Sequence, residues 1–355
     1  MFKNGKVRSP RPLLAVLELT SKCNLSCRHC SFFGLPRLQS RDMSFRQWKR
    51  IIDILVDNGC ERVTLSGGEP TLYRRLPDII AYCSRKGLYT AMTTNGIAMT
   101  RSLAAKLVEA GVDYVQVSLD GLMKQHETLR GSGTYEPALR ALKFLSDAGA
   151  RVCILCVIST LNDRSIPEFV AMLQSLNIRN IGFERLTPPV GSDRMMQIAL
   201  RPARLKRALQ TIYSLKKEYP EARISLNEPL KVHMDARIRQ AIRGKRTPSG
   251  GCFAGGFACV ISPNGDLRPC TRLPFNAGNL LKMNFNTIWN ENDLLNALRN
   301  RRMWGPCGAC RHRDICGGCR AEALSSYGDL FACDPGCWLQ PKRRSNAKFK
   351  SAQIG

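Results

Sequence analysis

What the sequence lacks narrows it first. No apolar run approaches the roughly 20 residues of a membrane-spanning helix, so no helical span is expected. The N-terminus MFKNGKVRSPRP is basic, but no apolar signal segment with a small-residue cleavage site follows it. LLAVLEL at 13–19 is short and carries Glu18. A cytoplasmic chain is therefore expected. Acidic residues are scarce, 28 against 54 Lys and Arg, giving a formal charge of +26. That balance favours an acidic partner: a carboxylate-rich peptide, a phosphorylated small molecule or RNA. The competing reading is cations spread over a solvated surface. An aromatic-and-basic RNA-binding signature is missing, so nucleic acid is not an expected partner. Internal repeats are also missing, apart from one alternation.

That alternation runs from 13 to about 215 of the 355 residues. Apolar strand-like runs at 13–20, 62–66, 88–94, 114–120, 152–159 and 180–186 alternate with amphipathic segments around 44–58, 75–86, 101–110, 135–149, 165–176 and 202–217. Near-continuous apolar strands joined by helices indicate a parallel sheet buried on both faces. The fold class expected is α/β, a partial (β/α)6 TIM barrel rather than a complete eightfold one, with a small C-terminal domain. Chemistry in such barrels gathers at the C-terminal ends of the strands. CNLSCRHC (23–30), SGGEP (66–70), TNG (94–96) and SLDG (118–121) all fall there. The domain boundaries expected are 13–215 for the barrel, 216–250 for a polar and basic bridge, 251–340 for a loop-rich module held by metals, and 341–355 for a solvated basic tail.

Sixteen cysteines in a reducing compartment should be metal ligands or buried apolar residues. Cys60, Cys83, Cys153 and Cys156 lie in apolar contexts and read as core. The other twelve fall into two sets, three near the start and nine between 252 and 337. Cys23, Cys27 and Cys30 cannot close a tetrahedral zinc site alone, and an odd number cannot form only internal disulfides. Their spacing asks for a metal with one open position. Taken singly, a structural metal knuckle explains the cysteines and an ordinary tight turn explains GGEP.

Taken together, CX3CX2C followed in order by GGEP, TNG and SLDG resembles the radical S-adenosylmethionine (SAM) superfamily. The resemblance implies a four-iron cluster on Cys23, Cys27 and Cys30, whose open iron chelates the amino and carboxylate groups of SAM. One electron then cleaves the sulfonium, and the 5′-deoxyadenosyl radical abstracts a hydrogen from an unactivated C–H bond. By the same resemblance His29 lies near the adenine, and Gly67, Gly68 and Glu69 meet the SAM amino group. Pro70 fixes the exit of that turn. Asn95, Ser118 and Asp120 lie where ribose and the SAM backbone bind. Arg130, in HETLRG, forks to the SAM carboxylate, with a surface ion pair as its competing reading. Asn162 and Glu184 are further candidates to line the pocket.

The second set of cysteines resembles the SPASM domain, a C-terminal extension of radical SAM enzymes. Cys252, Gly265 and Cys270 form CX12GX4C, and CGACRHRDICGGC carries Cys307, Cys310, Cys316 and Cys319. The resemblance implies two auxiliary four-iron clusters, and hence three clusters in all. One would sit on Cys252, Cys259, Cys270 and Cys319, the other on Cys307, Cys310, Cys316 and Cys337. Cys333 is left over, as a substitute for Cys337 or a free thiol. Taken alone, the CX2C pairs also read as a zinc site. Two residues separate Cys316 from Cys319 where many SPASM sequences have three, as in the branch of PQQ-pathway, mycofactocin-pathway and alternative-haem enzymes. Thr271 stands where sulfatase-maturing relatives carry a basic aspartate, which argues against formylglycine formation. Asp266, Asp314, Glu322, Tyr327 and Asp329 are candidate bases by proximity alone.

Fully ligated auxiliary clusters suit a net oxidation, with an external reductant of the flavodoxin or ferredoxin type priming the first cluster. Maturation of a ribosomally made peptide is the expected function. The chain starts almost at the first strand, without the winged leader-binding domain of many peptide maturases, so a separate leader-binding protein is a possible partner. The alternative is a small-molecule dehydrogenase or decarboxylase acting on a tetrapyrrole propionate or an aminosugar. A non-catalytic iron–sulfur or RNA-binding scaffold ranks last, because it gives a SAM site no use.

Overall fold

The computed structural model describes residues 11–32, 42–235 and 251–339. All six expected strands are present: β1 (Leu14–Glu18), β2 (Arg62–Ser66), β3 (Tyr89–Thr94), β4 (Tyr114–Ser118), β5 (Val152–Ile158) and β6 (Asn180–Arg185). The α-helices between residues 42 and 235 are α1 (Phe45–Asp57), α2 (Leu76–Arg85), α3 (Arg101–Glu109), α4 (Met123–Arg130), α5 (Tyr135–Asp147), α6 (Ile166–Ser175), α7 (Asp193–Ile198) and α8 (Pro202–Glu218). The sequence reading lacks α4 and α7. α4, MKQHETLR, is too polar to show an apolar stripe. α1 starts where a capping box forms, with the Ser44 side chain accepting from the Gln47 N–H and the Gln47 side chain accepting from the Ser44 N–H.

The sheet goes beyond six strands. β7 (Arg223–Leu226) comes from the stretch read as a bridge and pairs parallel to β6. β8 (Ala258–Ile261), from the cysteine-rich stretch, pairs parallel to β1. β9 (Asp266–Arg268) and β10 (Gly278–Asn279) continue the edge antiparallel, in the order β10-β9-β8-β1-β2-β3-β4-β5-β6-β7. One sheet therefore runs from the barrel into the C-terminal module. RISL and ACVI are too short to show as strands among basic residues and cysteines. Residues 236–250 of the bridge and the tail at 341–355 lie outside the described residues.

Strand alternation sorts the side chains. Ala15, Leu17, Val63, Leu65, Met92, Val115, Val117, Ile154, Ile181 and Phe183 are buried in one cluster with Trp48, Ile51, Ile52 and Leu55 of α1. Cys60, Cys83 and Cys156 join that cluster, and Cys153 is buried too. The other row, Val16, Thr64, Ala91, Thr93 and Gln116, is half-buried. Thr93 and Gln116 bond across it, at 3.0 Å from Oγ1 to Oε1. The strands thus have a dry face toward the helices and a more polar opposite face.

Candidate active site

The loop that carries Cys23, Cys27 and Cys30 leaves the end of β1 and lies against GGEP at the end of β2. The Gly68 N–H donates to the Thr20 carbonyl and the Glu69 N–H to the Lys22 carbonyl, both at 2.8 Å. This is backbone against backbone. A Cβ on Gly68 would stand 2.2 Å from the Lys22 oxygen, and one on Gly67, whose φ is +130°, 2.5 Å from the Thr20 oxygen. Only glycine permits that approach.

The Glu69 side chain joins GGEP to β3. Its Oε1 accepts from Thr71 N–H at 3.2 Å and from the Thr71 and Thr94 hydroxyls, each at 2.7 Å; Oε2 accepts from the Asn95 N–H at 2.8 Å. The buried carboxylate clamps GGEP to the end of β3. Asn95 carries the link onward, since its Nδ2 donates to Asn24 Oδ1 at 2.8 Å and lies 3.9 Å from Cys23 Sγ.

A second network supports the loop from β4 and α4. Asp120 is fully buried and accepts from Arg130 Nε at 2.6 Å, from His29 Nε2 at 3.2 Å and from the Val157 N–H at 2.8 Å. Burial alone would raise its pKa, but Arg130 and then His29 hold the carboxyl below the usual range. Both oxygens accept hydrogen bonds from residues beneath the cysteine loop. Arg130 is committed to Asp120, and its Nη1 lies 4.0 Å from Cys27 Sγ. His29 is fixed through Nε2, while its buried Nδ1 has no hydrogen-bond partner among the described residues. Ser118 is buried at the end of β4. Asn162 is also used internally, donating to the Asp120 and Val157 carbonyls at 2.9 and 2.8 Å.

The donor set fits an iron–sulfur cluster with SAM. Burial pushes the Cys27 thiol up to about 11, against the pull of Arg130, and raises Cys23 as well. Such thiols stay protonated near neutrality unless a metal replaces the proton.

In the C-terminal module, Cys270 and Cys319 both lie within electrostatic reach of Cys252. The sequence reading adds Cys259 to this group, and the structure does not bring it there. Cys259 stands on β8 in register with Ala15, fully buried in the cluster that holds Trp48. The thiol that acts on it is Cys60. Period-two alternation turns its side chain to the helix layer, so the first group keeps three thiols. Thr187 Oγ1 is 4.0 Å from Cys319 Sγ. In the second group, Cys337 lies within electrostatic reach of Cys307 and Cys310, and Cys316 within that of Cys337; among the described residues no set of three or more Cys, His, Asp or Glu stands close enough to hold a single metal ion. Cys333 joins the second group, accepting from the Cys307 N–H at 3.2 Å. The hydrogen bond between the two thiols pushes Cys307 up and Cys333 down.

Sequence reasoning missed the ion network that ties module to barrel. Arg185 at the end of β6 pairs with Glu228 at 3.0 Å and with Asp334, from Nη1 to Oδ1, at 3.0 Å. Asp334 also accepts from the Cys319 N–H at 2.7 Å. Arg272 reaches Glu184 at 2.7 Å, and Arg268 pairs with buried Glu18. The available signal was charge at the ends of apolar strands, as in Glu18 and Arg185. Among the candidate bases, Asp266 is bound to Asn264 and Asn279, Asp314 faces solvent beside Arg313, and Asp329 accepts from Trp304 Nε1. Glu322 differs. It is buried, its Oε2 has no hydrogen-bond partner among the described residues, and burial raises its pKa to about 7.

Comparison with known proteins agrees with this architecture. The radical SAM superfamily profile matches residues 17–173, and the SPASM profile, an iron–sulfur cluster-binding domain, matches 252–311. Mycofactocin maturase MftC of Mycobacterium tuberculosis (strain ATCC 25618 / H37Rv) is 32% identical over 338 residues, covering 92% of this chain and 83% of the relative. An AdoMet-dependent heme synthase of Methanosarcina barkeri (strain Fusaro / DSM 804) is 29% identical over 347 residues, covering 94% and 98%. Streptococcus suis SuiB, solved with its precursor peptide SuiA, superposes with a TM-score of 0.76 at 20% identity, over 93% of this chain and 76% of that one. The chain belongs to the radical SAM superfamily and carries a SPASM domain. It is an enzyme of that class, whose cofactors are SAM and iron–sulfur clusters. Among the described residues no helix is long and apolar enough to cross a membrane.

Proposed function

We propose that this enzyme carries out a net oxidation of an acidic substrate, in the first instance a ribosomally made peptide. When bound, the clusters and SAM supply one electron, a 5′-deoxyadenosyl radical that takes a substrate hydrogen, and an acceptor for the electron then left on the substrate. The observation that carries the reading is the joint placement of two thiol-rich centres on one sheet. Cys23, Cys27 and Cys30 follow β1, while β8 brings in the module with the remaining thiols. GGEP holds the cysteine loop through its backbone, Glu69 and Asn95 lock that contact, and Asp120 holds Arg130 and His29 under the loop. Cys252, Cys270 and Cys319 would hold one auxiliary cluster, and Cys307, Cys310, Cys316 and Cys337 the other. The domain limits 13–215 and 251–340 describe this division of labour.

A peptide substrate is supported by the maturase relative and by the +26 charge. A tetrapyrrole propionate is the second reading, favoured by the heme synthase match over 98% of that protein. An external flavodoxin- or ferredoxin-type reductant and a separate leader-binding protein complete the proposal. The test is anaerobic reconstitution followed by iron and sulfide counting, then SAM and dithionite. About twelve irons per chain, about four fewer in the Cys23→Ala/Cys27→Ala/Cys30→Ala variant, and 5′-deoxyadenosine lost in that variant are expected. Only about four irons, or zinc in the C-terminal module, would sink the oxidative role. Adding precursor peptides in one arm and iron-coproporphyrin in the other separates the substrates by which one consumes SAM with a change in its own mass.

A further inference from the structure

The two thiol groups of the C-terminal module meet at one seam. The Cys252 N–H donates to the Cys316 carbonyl at 2.9 Å, so a single backbone hydrogen bond joins the first group to the second. Arg301 lies over this seam. Its Nη2 donates to the Cys252 carbonyl at 3.3 Å, and its Nη1 rests so close to Gly317 that a Cβ there would be 1.4 Å away. Arg301 has a φ of +50°, a left-handed conformation uncommon for a residue with a side chain. Such strain persists only where the surroundings enforce it. Behind it stands Arg320, buried, donating through Nη1 to the Leu330 and Ala332 carbonyls at 3.0 and 2.6 Å. Among the described residues the buried Nε and Nη2 of Arg320 have no hydrogen-bond partner. A narrow cleft lined by Cys252, Arg301, Gly317, Arg320 and Phe331 lies between them. Burial lowers the Arg301 pKa, and the groups that oppose this most are Cys252 and Cys316, one thiol from each group.

We propose that Arg301, backed by Arg320, is a charge-tuning residue that raises the reduction potentials of both auxiliary clusters together. The inference rests on the reading that these thiols hold iron–sulfur clusters. Reducing a cluster adds one electron and no proton, so the reduced form carries one more negative charge. A fixed guanidinium beside ligands of both clusters stabilises that form in each. Because one cation serves both, the two potentials move together and the difference between them is kept.

The experiment is an EPR-monitored redox titration of the full-length reconstituted enzyme, with the cluster on Cys23, Cys27 and Cys30 as internal reference. Arg301→Gln is expected to raise the oxidised-to-reduced ratio of both auxiliary clusters about tenfold at fixed potential, a 59 mV fall. Iron content and the reference cluster should be unchanged, and Arg301→Lys should restore the wild-type potentials. Unshifted auxiliary potentials in a fully loaded Arg301→Gln protein, or a shift in one cluster only, overturn the inference. If Arg301→Gln loses iron, Arg301→Lys and Arg320→Gln decide. Wild-type potentials in the first and lowered ones in the second support it, and a Lys variant lowered tenfold overturns it. A wild-type chain with only about four irons overturns the parent reading instead.

Discussion

Replacing Asp120 by Asn isolates the support beneath the cysteine loop. The carboxylate takes hydrogen bonds from Arg130, His29 and the Val157 N–H, and it has no exposure. Asparagine can keep its oxygen toward the Val157 N–H, so that neutral bond, worth about 1 kcal/mol, survives. The loss lies in leaving Arg130 as a buried cation without its counter-charge, which costs about 3–5 kcal/mol when one partner of a buried pair is removed. The Cys27 thiol, 4.0 Å from Arg130 Nη1, gives only partial replacement. We therefore expect a loss of about 3 kcal/mol in urea unfolding at pH 7, together with loss of the cluster held by Cys27. The variant Asp120→Asn/Arg130→Met removes both charges and should recover about 2 kcal/mol relative to the sum of the single changes. A single variant within about 1 kcal/mol of wild type, or a strictly additive double variant, would refute the claim that these residues act as one unit.

Other perturbations test other parts of the structure. Gly68→Ala drives a Cβ to 2.2 Å from the Lys22 oxygen, so SAM cleavage should fall at least tenfold while the C-terminal module keeps its iron; unchanged cleavage would contradict the backbone cradle. Cys259→Ala should keep the full iron count and cost about 1 kcal/mol of packing, whereas Cys252→Ala should lose iron, and the reverse result would restore Cys259 as a ligand. His126 is buried, with Nδ1 accepting from the Asp120 N–H, and burial lowers its pKa to about 4. The unfolded chain therefore binds a proton below about 6.5 that the folded chain refuses, and the iron-free protein should lose about 2 kcal/mol between pH 7 and pH 5. His126→Gln should flatten that slope, and an equally steep slope would place its origin elsewhere.

The barrel was legible because short, near-continuous apolar runs alternate regularly with longer amphipathic segments along the chain. The chemistry at its rim was legible as order along the chain: CNLSCRHC, GGEP, TNG and SLDG each follow a strand, and the structure puts them at one end. What the motifs did not reveal is which atoms remain free. Glu69, Asp120 and Arg130 carry the right groups for SAM, and each also bonds a neighbour, because a cysteine loop with little apolar content needs polar clamps to hold its shape. The fate of a carboxylate depends on donors far away in sequence, such as Thr94 for Glu69 and Val157 for Asp120, and spacing holds no record of them. Cys259 shows the same limit in the opposite sense. Read by its distance from Cys252 and Cys270 it is a ligand; read by the alternation in ACVI, beside Val260 and Ile261, it is a core residue paired with Ala15. The second rule prevails because a strand fixes the direction of every side chain along it, whereas a ligand spacing constrains only residues in a loop that can still turn.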